Sequence, residues 1–206
     1  MSNWDNRYTD AEMRLFGDRP NEYLRQVMAR SDVTPASALM IGDGDGRNGT
    51  WLASLGLDVT AIDISDVANG QAQAHDAAAG VTVERITADL ATWTPETGRV
   101  WDAAFMMYLQ CEADVRNRAA RVAATALNPG GWFAAEGFAP SNNRTRGELG
   151  PGKHDLLYER DDLLAALDSL HVVEAFKGWT HLDEGAKHQG NGWVLRLLAR
   201  RPAEAA

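Results

Sequence analysis

The sequence predicts an α/β fold: a mostly parallel seven-stranded sheet with helices on both faces and an antiparallel hairpin at its C-terminal end. Three observations predict it. Short apolar, β-rich runs alternate with helical patterns through residues 38–138. The run at 102–108 is almost continuously apolar, which suits a strand covered on both faces. Two further strand-like runs close the chain, separated by the hairpin-turn residues Gly185, Gly190 and Asn191.

Residues 38–41 are the first expected strand and lead at once into a glycine-rich turn. Residues 47–55 follow as a helix with Trp51, Leu52 and Leu55 on one face, ended by Gly56. Residues 57–62 form the second strand, and 66–79 an Ala-rich helix stopped by Gly80. Residues 81–86 alternate as a third strand, and 102–108 are the fourth. A helix at 113–127 is closed by Asn128, Pro129 and Gly130 before the fifth strand at 131–138. This order of strand–helix–strand units argues for parallel pairing. Residues 140–153 read as a polar loop, 161–170 as a short helix, and 171–180 and 192–200 as hairpin strands around a turn at 184–191.

Composition narrows the function. The formal net charge of -9, with no Lys/Arg-rich run, disfavours nonspecific nucleic-acid binding. Cys111 is the only cysteine, so no intramolecular disulfide forms. The first ten residues are polar and acidic, unlike a signal peptide, and no apolar run approaches the roughly 20 residues that span a bilayer. A soluble cytoplasmic protein is expected, without membrane or nucleic-acid partners.

The strongest motif is Gly42-Asp43-Gly44-Asp45-Gly46, between a strand and a helix. Glycines there permit a sharp turn and close approach of backbone to a ligand. Dinucleotide sites ask for G-x-G-x-x-G, but Arg47 stands where the third glycine belongs and Gly46 comes one residue early. Asp43 and Asp45 would also repel a pyrophosphate. Spacing and charge therefore favour a cofactor that carries a sulfonium and an ammonium, S-adenosylmethionine. Asp63 ends the second strand about 20 residues past the loop's start, where an acid can accept ribose hydroxyls. Asp89, after the third strand, can reach an adenine amino group.

These residues resemble the class I S-adenosylmethionine-dependent methyltransferases, specifically small bacterial members related to the tellurite-resistance methyltransferases. The loop Asp43-Gly44-Asp45-Gly46-Arg47-Asn48 matches the acid-Gly-acid-Gly-Arg-Asn of that branch. So do Leu52-Ala53-Ser54-Leu55-Gly56 and Val59-Thr60-Ala61-Ile62-Asp63-Ile64-Ser65. Trp4, Arg7, Tyr8, Gly17, Pro20 and Asn21 match its N-terminal segment, and Asn128-Pro129-Gly130-Gly131 the turn before its fifth strand. Gly150-Pro151 and Leu156-Leu157 match a later loop, and Glu184-Gly185, His188 and Gly190 its hairpin. The resemblance implies a Rossmann-like class I methyltransferase fold. It also implies a cofactor site built from Gly42, Asp43, Gly44, Gly46, Arg47, Asn48, Asp63, Ile64, Asp89, Leu90 and Met107, with S-adenosylhomocysteine as product.

The chain depart from the family at two positions. Met40 stands where many relatives carry an acid two residues before the first glycine, so Asp43 or Asp45 is expected to take that role. Gln110 replaces a histidine after the fourth strand and cannot titrate.

One domain is expected across 1–206: an N-terminal helical lid segment at 1–30, a cofactor-binding core at 36–138, and a substrate loop with hairpin at 139–206. Methyl transfer from a sulfonium is an in-line displacement that asks the protein mainly for positioning. The expected acceptor is a small molecule, a thiol, a metalloid oxyanion or a similar soft nucleophile. The acceptor wall is expected from Trp4, Arg7 and Tyr8, from Met107, Tyr108 and Gln110, and from His181 and His188. His188, Tyr8 and Arg7 are the candidate catalytic residues, His188 first because histidine titrates near neutrality. Arg7 can pair with an anionic acceptor or with an internal acid. No zinc-ligand spacing is present, so no metal is expected. The chain is read as a monomer or homodimer. Two other readings stay open: an NAD(P)-dependent oxidoreductase, and a non-catalytic nucleoside-binding protein of the same fold.

Overall fold

The computed structural model describes residues 3–9, 14, 16–141, 149–185 and 188–204. Two short helices, α1 (Asn3–Thr9) and α2 (Glu22–Met28), precede the first strand, β1 (Ser37–Ile41). Then come α3 (Arg47–Ser54), β2 (Asp58–Asp63), α4 (Asp66–Ala79), β3 (Glu84–Thr87), β4 (Trp101–Met107), α5 (Ala113–Thr125) and β5 (Leu127–Phe138). A short 3-10 turn (His154–Leu156) and α6 (Arg160–Ala166) lead into β6 (His171–Gly185) and β7 (His188–Arg200). The strands form one seven-stranded sheet in the order β3-β2-β1-β4-β5-β7-β6. All pairs from β3 to β5 are parallel. β7 runs antiparallel to both of its neighbours, β5 and β6. This is the Rossmann-like class I methyltransferase architecture, with the hairpin at one edge.

Alternation along the strands builds two cores. Ala38 and Met40 of β1 share a core with Ala103, Phe105 and Met107 of β4, Leu52 of α3 and Tyr23, Leu24 and Val27 of α2. Leu39 and Ile41 face the other way, with Ala104, Met106 and the alanines of α5. The apolar β4 run thus feeds both layers, as burial on two faces demands. From β1 the chain steps outward through β2 to β3, then returns beyond β1 to β4. Right-handed crossovers in opposite directions put α3 and α5 on opposite faces and open a crevice at the reversal.

Several boundaries differ from the sequence expectation for local reasons. The third strand starts at Glu84 instead of residue 81. Gly80, at φ +66°, closes α4 as a Schellman turn, with its N–H on Ala77 O and the Val81 N–H on Asp76 O. Val81 is therefore used as a cap. Helix α5 stops at Thr125, short of the expected 127, because Leu127 pairs with Trp101 in the sheet. The turn at Asn128 to Gly131 accordingly lies inside β5. Helix α6 is also shorter than expected and ends in tight turns, Leu167 N–H to Leu164 O and Leu170 N–H to Leu167 O. The hairpin is longer, pairing continuing out to Gly185 and His188. Of the expected loop at 140–153, residues 142–148 lie outside the described residues. Among the described residues, no helix is long and apolar enough to cross a membrane.

Candidate functional site

A cavity of about 810 Å³ crosses the carboxyl ends of β2, β1 and β4 and reaches the start of β7. That is within the roughly 300–1,000 Å³ range of small-molecule sites. Its floor is the glycine loop. Gly42 and Gly44 adopt φ +68° and +60°, the left-handed region that favours glycine. Asp63 organises the loop from the end of β2. Its Oδ2 accepts the Gly44 N–H and its Oδ1 the Ser65 N–H, both at 2.9 Å. Burial pushes the Asp63 carboxyl up, and these backbone donors pull it down.

Tyr8 closes over this floor. A Cβ added at Gly44 would collide with the Tyr8 hydroxyl. Helix α1 is pinned there because the Ser65 hydroxyl donates to Asp5 at 2.6 Å while accepting the Ala68 N–H that begins α4. Burial, aided by Asp63, Asp45 and Asp43, holds the Tyr8 phenol well above its ordinary range, so it stays neutral. Arg7 also lines the cavity, its guanidinium 4.5 Å over the Trp4 ring.

The two loop acids line the cavity, and each is paired with an arginine of the protein. Asp43 accepts the Gly49 N–H at 3.0 Å and pairs with Arg85 at 2.9 Å, and Arg85 also holds Asp76 at 2.6 Å. Burial pushes the Asp43 carboxyl up to about 6, against the pull of Arg85. Asp45 pairs with Arg14 at 3.0 Å, and its carbonyl lies 2.8 Å from His75 Nδ1. Met40 is buried in the core.

Three expectations change. Gly46 does not line the cavity; a Cβ there would lie 2.6 Å from Arg85 and 2.7 Å from Ala72, so its smallness serves packing. Arg47 and Asn48 do line it, but their side chains hold other segments. Arg47 pairs with Glu184 at 2.9 Å and donates to Phe16 O and Arg19 O, and Asn48 Oδ1 accepts the Asn21 N–H at 2.8 Å. His181 is exposed on β6 beside Asn191 and does not line the cavity.

The remaining candidates converge. Ile64, Asp89, Leu90 and Met107 line the cavity together with Asp63. Ile64 is 41% exposed, an apolar face presented to the cavity, and the Asp89 Oδ1 accepts the Ala91 N–H at 2.8 Å. Gln110 and Cys111 line the wall beyond β4, and burial pushes the Cys111 thiol up to about 12. His188 is only 1% exposed, enclosed by the rings of Tyr108, Phe16 and Phe138 at centroid distances of 4.3, 5.0 and 5.5 Å. It is therefore a buried residue, where a histidine in a polar turn would ordinarily be exposed.

Sequence reasoning missed the scaffold behind these groups. Asn21 Nδ2 donates to Glu136 at 2.6 Å and to Glu184 at 3.0 Å, and Arg196 holds Glu136 from β7 at 2.6 Å. Asn21 Oδ1 meanwhile caps α2 by accepting the Leu24 N–H. This buried network ties the N-terminal segment to β5 and the hairpin. Its one visible signal was the motif that places Asn21, Glu184 and His188 among the matched positions. Among the described residues, no group of three or more His, Cys, Asp or Glu side chains is placed to hold a metal ion.

A family model described as a methyltransferase domain matches residues 38–131, from β1 to the turn inside β5. Residues 38–131 are thus similar to a methyltransferase domain. The ubiquinone biosynthesis O-methyltransferase of Paraburkholderia phymatum is 31% identical over 132 residues, 63% of this chain. The chain spans only about half (54%) of that relative's length. TehB from Haemophilus influenzae superposes with a TM-score of 0.72 at 14% identity, covering 88% of this chain and 62% of that one. The cyclase SpnF superposes with a TM-score of 0.68 at 16% identity, covering 97% of this chain and 92% of that one. At these identities the two structures show a likeness of fold alone.

Proposed function

We propose that this chain transfers a methyl group from S-adenosylmethionine to a small-molecule acceptor. One arrangement carries the reading: Asp63, fixed by the Gly44 N–H, at the floor of a cavity that also gathers Ile64, Asp89, Leu90 and Met107. The lining residues fit that cofactor. Asp63 can accept ribose hydroxyls, and Asp89 can accept an adenine amino group. Ile64 and Leu90 offer apolar surface to a flat base. The lining holds more carboxylates than cations, which suits a ligand with net positive charge and opposes a dinucleotide's pyrophosphate. When bound, the cofactor supplies a methyl group on a sulfonium. The protein's part is to orient it and to exclude water through Trp4, Arg7 and Tyr8, which act as a lid from the N-terminal segment.

His188 and Tyr108 then stand at the acceptor end. Arg7 and Tyr8 contact the reacting groups from above, Tyr8 as a neutral hydrogen-bond donor. Fold alone does not decide between methyl transfer and other chemistry, as the likeness to a cyclase illustrates. Release of methylated product from labelled cofactor, across thiols, phenols, amines, selenite and tellurite, tests the reading. Turnover of any of them supports it. Silence across the panel, with cofactor demonstrably bound, favours a non-catalytic nucleoside-binding protein.

A further inference from the structure

The acceptor end of the cavity contains polar groups that the protein leaves unpartnered. Tyr108 follows β4 at φ +54°, a backbone conformation costly for a non-glycine residue and concentrated at functional sites. Its hydroxyl is buried and makes no hydrogen bond, and the same holds for Nε2 of His188, whose Nδ1 faces Glu184. Both residues line the cavity. Unmet buried polar atoms cost free energy, so their persistence beside a cavity points to a ligand that completes them.

The charges around them limit what that ligand is. Glu184 Oε2 on β6 lies 3.5 Å from His188 Nδ1, leaving Nε2 as the nitrogen away from the carboxylate. The cation facing this pair from α3 is Arg47, already committed to Glu184, Phe16 O and Arg19 O. Lys153 is exposed at the rim. Among the described residues, no uncommitted buried cation therefore stands at this end to hold an oxyanion, Arg7 being exposed and stacked over the Trp4 ring. Aromatic rings and neutral donors and acceptors suit an uncharged molecule instead.

Resting on the methyltransferase reading, we propose that the acceptor is a phenol or thiol bound with its X–H intact. Nε2 of His188 takes the proton as the methyl group is transferred, with Glu184 as the positioning residue. The new bond joins X to the methyl carbon, and the sulfur–methyl bond breaks with its electron pair left on sulfur. The X–H proton goes to Nε2, and the Glu184 carboxylate balances the imidazolium through Nδ1–H. The Tyr108 hydroxyl donates to X and fixes its orientation. Burial holds His188 below its ordinary range, with Glu184 pulling up and Arg47 pushing down, so the ring is neutral and competent at pH 7. The groups facing it are Glu184 from β6, Arg47 from α3 and Tyr108 after β4, alongside the Phe16 and Phe138 rings.

The test uses the full chain with S-adenosylhomocysteine bound and labelled histidine, read by NMR. The His188 resonances are assigned by their loss in His188→Gln. Phenol and thiophenol are added as non-reacting probes, then selenite and tellurite. Phenol or thiophenol should shift the His188 ring signals, and the oxyanions should not. Turnover of the responsive probe in His188→Gln should fall at least about 100-fold, the scale of a lost general base, with affinity for S-adenosylhomocysteine unchanged. In Glu184→Gln the inflection of kcat/KM with pH should move to lower pH, which a purely structural role would not cause. Silent ring signals with the phenol and thiophenol, a preference for selenite or tellurite, or turnover in His188→Gln within threefold of the parent would overturn the proposal. Failure of the parent chain to bind S-adenosylhomocysteine at all would instead overturn the methyltransferase reading beneath it.

Discussion

Asp63 Oδ2 accepts the backbone N–H of Gly44 at 2.9 Å, so the acid at the end of β2 holds the glycine loop in shape. On the proposed reading the same carboxylate also accepts the ribose hydroxyls. Asp63→Ala should weaken S-adenosylhomocysteine binding by about 1–3 kcal/mol, the cost of hydrogen-bonding groups left unpaired. Calorimetry on the folded variant checks this. Unchanged affinity would place the ribose site elsewhere.

Gly44 carries a separate expectation. At φ +60° and beneath the Tyr8 hydroxyl, it has no room for a side chain. Gly44→Ala should cost about 1–2 kcal/mol in backbone strain alone and should also displace Tyr8. The intrinsic fluorescence of Trp4, 6.1 Å from the Tyr8 ring, and cofactor affinity should change together. A variant that binds like the parent would mean that the loop and α1 are not coupled.

Arg85 is the buried cation between Asp43 and Asp76. Arg85→Met removes it and leaves two carboxylates without their counter-charge, an expected loss of about 3–5 kcal/mol. Urea unfolding measures it. A loss below about 1 kcal/mol would show that the acids find other partners.

Stability should also fall in acid, for two reasons with the same sign. His188 is held below its ordinary range when folded, so protons favour the unfolded chain as pH drops below about 6.5. Glu184 is drawn down to about 2 against burial by His188, Arg47 and the Glu22 N–H, so its contribution is complete above about 4.5 and is lost as pH falls toward 2. The second effect is worth about 3 kcal/mol. Urea midpoints from pH 7 to pH 3 should therefore decline steadily in the parent, and below about pH 4.5, where Glu184 itself takes up its proton, the decline should be gentler in Glu184→Gln. Parallel curves would contradict the role assigned to Glu184.

The sequence made the sheet legible because its signals are local. Ala38 to Ile41, the glycines after them, and the acid at Asp63 all fall within one strand–helix–strand unit, where spacing fixes geometry. The partners of the loop acids were not legible. Nothing in the residues around Asp43 announces Arg85, which is 42 positions away and reaches it only after β3 pairs with β2. Asn21 and Glu184 meet across 163 positions for the same reason. Gly46 was read as a cofactor glycine, but its demand for smallness comes from Arg85 and Ala72, which only packing reveals. His188 looked like a turn residue because the length of the hairpin, and so its burial, depends on pairing that local sequence does not encode.

The central claim is that this cavity holds a sulfonium nucleoside and not a dinucleotide. Calorimetric titration of the full chain with S-adenosylhomocysteine and, separately, with NAD tests it most directly. The account predicts saturable one-to-one binding of S-adenosylhomocysteine that Asp63→Ala weakens, and no measurable heat from NAD. Tight binding of NAD with no response to S-adenosylhomocysteine would contradict it.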